Sequence, residues 1–115
     1  MIAILCLALP VGSSCAHYRH AVLSPHALIA QPAAERRLRL MGVARHVQHR
    51  TSHEGYAYDL VLVCDSQCVR VYYPNHSTIE NGDRVSAVGT FYPVRKVGTS
   101  VYRNEMDADE LLVEH

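Results

Sequence analysis

The chain has no net charge: eleven Lys and Arg are matched by eleven Asp and Glu when the histidines are neutral. A protein whose main task is gripping nucleic-acid phosphates usually shows a clear basic excess, so this balance argues against that role. The ten arginines stand beside one lysine, a ratio that by itself implies nothing about function. There is no apolar run long enough to span a bilayer, which needs roughly 20 residues. There is no nucleophile elbow, no phosphate loop and no pair of acids in a cleft-like motif. Internal repeats and low-complexity tracts are also missing. These absences predict a chain with no catalytic turnover and no cofactor.

The 115 residues amount to one domain, and at 49% hydrophobic and 19% charged they can build a core. The first sixteen read "MIAILCLALPVGSSCA". Ile2 to Leu9 is uninterrupted and apolar, then come Pro10 and a cluster of small residues. This fits the hydrophobic and cleavage regions of a secretory signal, although Lys and Arg are missing ahead of the run. Cleavage after Ala16 is one outcome. "VGSSC" is also similar to a bacterial lipobox, with Gly12 where leucine is usual, and makes Cys15 a candidate lipidation site. The expectation is an exported protein, periplasmic or anchored to the envelope as a lipoprotein, with residues 1–16 as its signal.

Residues 17–34, "HYRHAVLSPHALIAQPAA", are broken by Pro25 and Pro32 and keep no clean period. They are expected to form a tether or loosely docked arm with at most a short helical turn. From Glu35 the texture changes to β. Strands are expected over Leu38–Val47, Tyr56–Cys64, Cys68–Tyr73, Arg84–Val94 and Asp109–His115. Gly42 and Gly89 lie inside the first and fourth, where a sharply coiled sheet needs them. Asn81-Gly82-Asp83 and Gly98 mark turns.

"LMGVARHV", "YDLVLVCDSQCVRVYYP", "NGDRVSAVGTFYPV" and "DADELLV", in that order, resemble an oligonucleotide/oligosaccharide-binding (OB) domain. The likeness covers roughly residues 36–114. It implies an all-β fold, a five-stranded Greek-key barrel over residues 35–115, and a binding face on its first strands. Fold alone does not name a ligand.

Cys64 and Cys68 flank the turn Asp65-Ser66-Gln67. A metal site would need two further ligands, and Cys-x3-Cys is not the usual zinc-knuckle spacing. Redox enzymes more often carry Cys-x-x-Cys. Opposed across a hairpin in an exported chain, the two cysteines are expected to form a disulfide.

His46, His49 and His53 could attract a transition metal, but strand alternation sends His46 and His49 to opposite faces. Solvated loop histidines are the leading reading, and no metal is expected. Arg37, Arg39 and Arg45 should share one face of the first strand. Tyr56, Tyr58, Arg70 and Tyr72 lie on its neighbours. Arginines beside exposed aromatics suit a single-strand-binding face, where charge follows the backbone and rings stack on bases. The acids from Glu105 to Glu114 offset that charge. Finally, "ADELLVEH" is similar to the last strand of the periplasmic haem chaperone of cytochrome c maturation, and places His115 where that family has its haem ligand. The tyrosine that the family carries a few residues later is missing. The sequence thus predicts a non-enzymatic binding module of the cell envelope, for a protein, glycan or nucleic-acid ligand. Single-stranded nucleic-acid binding and haem or metal handling are the alternatives.

Overall fold

A computed structural model describes residues 22–31 and 36–114. The candidate lipidation site Cys15, the signal over 1–16 and the haem-ligand candidate His115 lie outside the described residues.

The protein is all-β, as expected. Its elements are β1 (Val22–Leu23), α1 (Pro25–Ala30), β2 (Arg36–Thr51), β3 (Ala57–Cys64), β4 (Cys68–Tyr73), β5 (Arg84–Val97) and β6 (Ser100–Val113). The sheet runs β1-β2-β3-β4-β6-β5, and β2 also pairs with β5. That last pairing closes β2 to β6 into a barrel-like ring. All its ladders are antiparallel except β4 with β6.

Period-two alternation explains the ring. In β2, Leu38, Leu40 and Ala44 turn inward and are fully buried, as do Val61 and Val63 in β3 and Val69 and Val71 in β4. Phe91, Met106 and Leu111 complete the wall of the core. The outward positions between them mix Arg, Tyr, Asp and Glu with half-exposed apolar residues such as Met41, Leu60 and Leu62.

β2, β5 and β6 run longer than expected, while β3 starts one residue later and β4 keeps its expected bounds. β2 starts at Arg36 and ends at Thr51, and β6 begins at Ser100. The residues added to β2 are all polar, and those added to β6 mix polar side chains with Val101, Met106 and Ala108, so neither stretch shows a clean apolar period. β2 stays continuous through a bulge between Arg45 and Gln48, where His46 takes a φ of 51°. One extra residue there inverts the side-chain parity of the rest of the strand.

Residues 22–31, expected to belong to a tether, are packed onto the ring. Ser24 caps α1 by accepting from the Ala27 amide, and Pro25 occupies the first turn, where its missing N–H costs nothing. Leu28 is fully buried in the core cluster. The Asp65 carboxylate accepts from the Gln67 and His26 amides, which lowers its pKa and links the β3–β4 turn to the helix. Ile79, from the connector between β4 and β5, also enters the core.

Cys64 stands opposite Cys68 in the β3–β4 ladder, and the two sulfurs are bonded. Reduction, or a double change to serine, should lower stability by roughly 2 kcal/mol, the chain-entropy value for so short a loop. Chemical denaturation with and without reductant measures it; an unchanged midpoint would contradict it.

Candidate functional site

The outward faces of β3, β4 and β6 form one shallow groove. Parallel pairing sets Arg70 beside Glu105 and Tyr72 beside Asp107. On the other side, β3 sets Leu60 beside Tyr72 and Leu62 beside Arg70. Leu60, Arg70, Tyr72, Arg95, Glu105 and Asp107 line a depression of about 320 Å³. Two further depressions adjoin it. One shares Leu60 and Arg70 and adds His46, Gln48 and Leu62. The other shares Tyr72 and adds Tyr56, Tyr58 and Pro74.

Two features give this groove its chemistry. Tyr58 and Tyr72 lie side by side with ring centroids 5.5 Å apart and planes inclined by 33°. Both are outward residues of adjacent strands, so their rings are an apolar platform that water still reaches. Second, Arg95 is held in place from three directions. It donates to both Asp107 oxygens at 2.9 and 3.1 Å, approaches Glu105 at 3.5 Å and lies 4.1 Å above the Tyr92 ring. The Asp107 hydrogen bonds raise its pKa further, so it is a permanent cation. Its buried Nε makes no hydrogen bond, and the Glu105 oxygen 3.5 Å away lies beyond the usual N–H···O range.

The structure divides the basic face expected from the sequence. Arg37 and Arg39 lie on the half of β2 that pairs with β5. Arg37 binds Asp109 at 2.7 Å, and Arg39 donates to Ser86 Oγ at 2.8 Å and approaches Glu110 at 3.6 Å. β2 passes from β5 to β3 at Val43, which pairs with both, so these two arginines lie away from the tyrosines. Arg45, opposite Leu62, remains with Arg70 on the groove side. Neither makes an ion pair among the described residues. Tyr56 is well exposed at the groove's rim.

The three histidines do not converge. The bulge turns His46 outward to the groove and His49 inward to Asp59, the reverse of simple alternation. His53 stays exposed in the turn between β2 and β3. No group of three or more metal-ligating side chains occurs among the described residues.

Asp59 carries a cluster that the sequence reading did not single out. This fully buried carboxylate accepts from His49 Nδ1 at 2.7 Å and from the Ser77 amide and hydroxyl at 2.8 and 2.5 Å. Ser, His and Asp do meet here, but the hydroxyl binds the acid and not the imidazole. The general base of a nucleophilic serine is therefore not in place. The cluster anchors the connector after β4. Its only sequence signal is an acid at an inward strand position.

No protein-family model matches the chain, and no curated protein matches it. Among solved structures it is similar to a protein described as an aspartyl-tRNA synthetase of Leishmania major Friedlin, with a TM-score of 0.61 at 8% identity. That likeness covers 84% of this chain and 21% of the other, so it speaks to the fold alone.

Proposed function

We propose that this chain is a non-catalytic binding module of the cell envelope which takes its ligand on the outward face of β3, β4 and β6. The observation that carries this reading is the Tyr58–Tyr72 platform beside the Arg70 guanidinium. Exposed rings attract ligands with flat faces, namely sugars and bases, while a fixed Arg95–Asp107 pair offers planar donors and acceptors at the groove floor. The apolar run Ile2 to Leu9 and the bonded cysteine pair support an exported location, since disulfides persist in oxidising compartments. Intact mass of the protein recovered from a bacterial host tests that part. Loss of residues 1–16, or of 1–14 with a lipid on Cys15, is expected; the full-length reduced chain in the cytoplasm would contradict it.

The fold likeness to a tRNA synthetase supports a second reading, a single-stranded oligonucleotide as the ligand. Arg37, Arg39 and Arg95 are already matched by carboxylates. Arg45 and Arg70 are left to meet phosphates, so a slope of log affinity against log salt near −1.4, about −0.7 for each of two phosphates, is expected. Stacking should dominate, and Tyr72→Ala should weaken oligothymidylate binding by about 1–3 kcal/mol. Anisotropy titrations at several salt concentrations measure both. No binding of oligothymidylate at low salt would leave a glycan or protein as the ligand.

A further inference from the structure

The inward bulge of β2 and the connector after β4 bring two imidazoles together at the Asp59 cluster. The His49 and His76 rings have centroids 5.7 Å apart and planes at 74°. Each ring is oriented by a hydrogen bond at one nitrogen. Asp59 Oδ1 lies 2.7 Å from His49 Nδ1, and the Arg50 carbonyl oxygen lies 2.8 Å from His76 Nε2.

Neither oxygen can donate, so each must accept. In the neutral rings the protons are therefore on His49 Nδ1 and His76 Nε2. The remaining nitrogens, His49 Nε2 and His76 Nδ1, carry free lone pairs, and among the described residues neither receives a hydrogen bond. A carboxylate or backbone carbonyl behind the imidazole is the arrangement that orients histidine ligands and raises their basicity. Here both rings have it, and the carboxylate is fixed in turn by Ser77.

We propose that His49 and His76 form a two-imidazole site for a divalent transition ion of the zinc or copper type, with water filling the other positions. Imidazole nitrogens suit these ions and not magnesium or calcium. Two rings bound to one zinc at 2.0–2.1 Å would have their centroids about 5–6 Å apart, which matches the spacing present. The half-exposed His49 and exposed His76 leave the ion a direct path from solvent. Two protein ligands give a weaker site than the four of a structural zinc centre, so micromolar affinity is expected and the fold does not depend on the ion.

Calorimetric titration of the metal-free full chain with zinc chloride tests this. One site per chain is expected. His76→Gln changes an exposed connector residue and should weaken binding by at least about tenfold, as should His49→Gln; Asp59→Asn should weaken it by about 10–100-fold. His46→Gln and His53→Gln should bind as the parent does. Because changes near Asp59 also touch the fold, the imidazole proton resonances give a second readout. Zinc should shift those of His49 and His76 in the folded parent protein and leave those of His46 and His53 in place. Absence of saturable binding at millimolar zinc, or parental affinity in the His49→Gln/His76→Gln double variant, overturns the proposal.

Discussion

Replacing Gly89 with valine should remove a large share of the protein's stability at room temperature. A Cβ at this position would sit 2.0 Å from the Asp107 carbonyl oxygen and 2.6 Å from Ala108 Cα. Both are backbone atoms of the facing strand. They cannot withdraw without opening the β5–β6 ladder at its bulge, where Gly89 pairs with Ala108. A flexible side chain could swing aside; a paired backbone cannot. The cost should exceed about 4 kcal/mol, the range reserved for strained backbone and overpacked cores. A domain of this size holds only about 5–15 kcal/mol in total. Urea denaturation followed by far-ultraviolet circular dichroism measures the loss. Gly42→Ala supplies the comparison. Its Cβ would meet the Cys64 carbonyl oxygen at 2.8 Å, so a smaller loss is expected. A Gly89→Val protein with a near-parental midpoint would mean that the strands cross less closely than described.

Removing the Asp59 carboxylate should be the next most damaging single change. Asp59→Ala leaves the partly buried Ser77 amide and hydroxyl and the half-exposed His49 Nδ1 without their buried acceptor. Stranded buried donors cost about 1–3 kcal/mol each when nothing replaces the partner, and the cavity adds to that. A total of about 3 kcal/mol is expected once water reaches His49. The effect should also be local. Ser77 and Ile79 belong to the connector that Asp59 holds, and their amides should exchange with solvent much faster, while those of β5 and β6 change little. Asp59→Asn keeps an acceptor and should cost about half as much. A uniform rise in exchange across all strands would show that Asp59 supports the whole ring and not the connector.

Much of this fold can be read from local pattern. Val61 and Val63 alternate with outward neighbours, the Cys64–Cys68 hairpin follows from a three-residue turn, and Gly89 announces a close crossing. What local pattern could not supply depends on contacts distant in sequence. The bulge at His46 inverts the parity of the following residues, and nothing in "RHVQH" marks it, because His is not a residue that demands a positive φ. The parallel pairing of β4 with β6 creates the groove by bringing Arg70 to Glu105, and a sequence of separate strands does not state which edges meet. The basic face failed for the same reason. Arg37, Arg39 and Arg45 share a strand side, yet the change of partner strand at Val43 gives the first two to Asp109 and Glu110. By contrast, α1 had a readable start in Ser24-Pro25, and Leu28 lies one turn on. Pro25 at its first position and Pro32 just beyond its end obscured it.

The location of the binding face can be tested in one titration. Uniformly labelled protein would be followed by amide and arginine side-chain resonances while oligothymidylate, and separately a soluble cell-wall oligosaccharide, is added at low salt. Whichever probe saturates is expected to shift Leu60, Arg70, Tyr72 and Asp107, with Tyr56 and Tyr58 at the rim, and Tyr72→Ala should move those shifts to higher probe concentration without unfolding the chain. Saturable shifts centred on Arg37, Arg39 and β5, with the Tyr58–Tyr72 platform undisturbed, would contradict it.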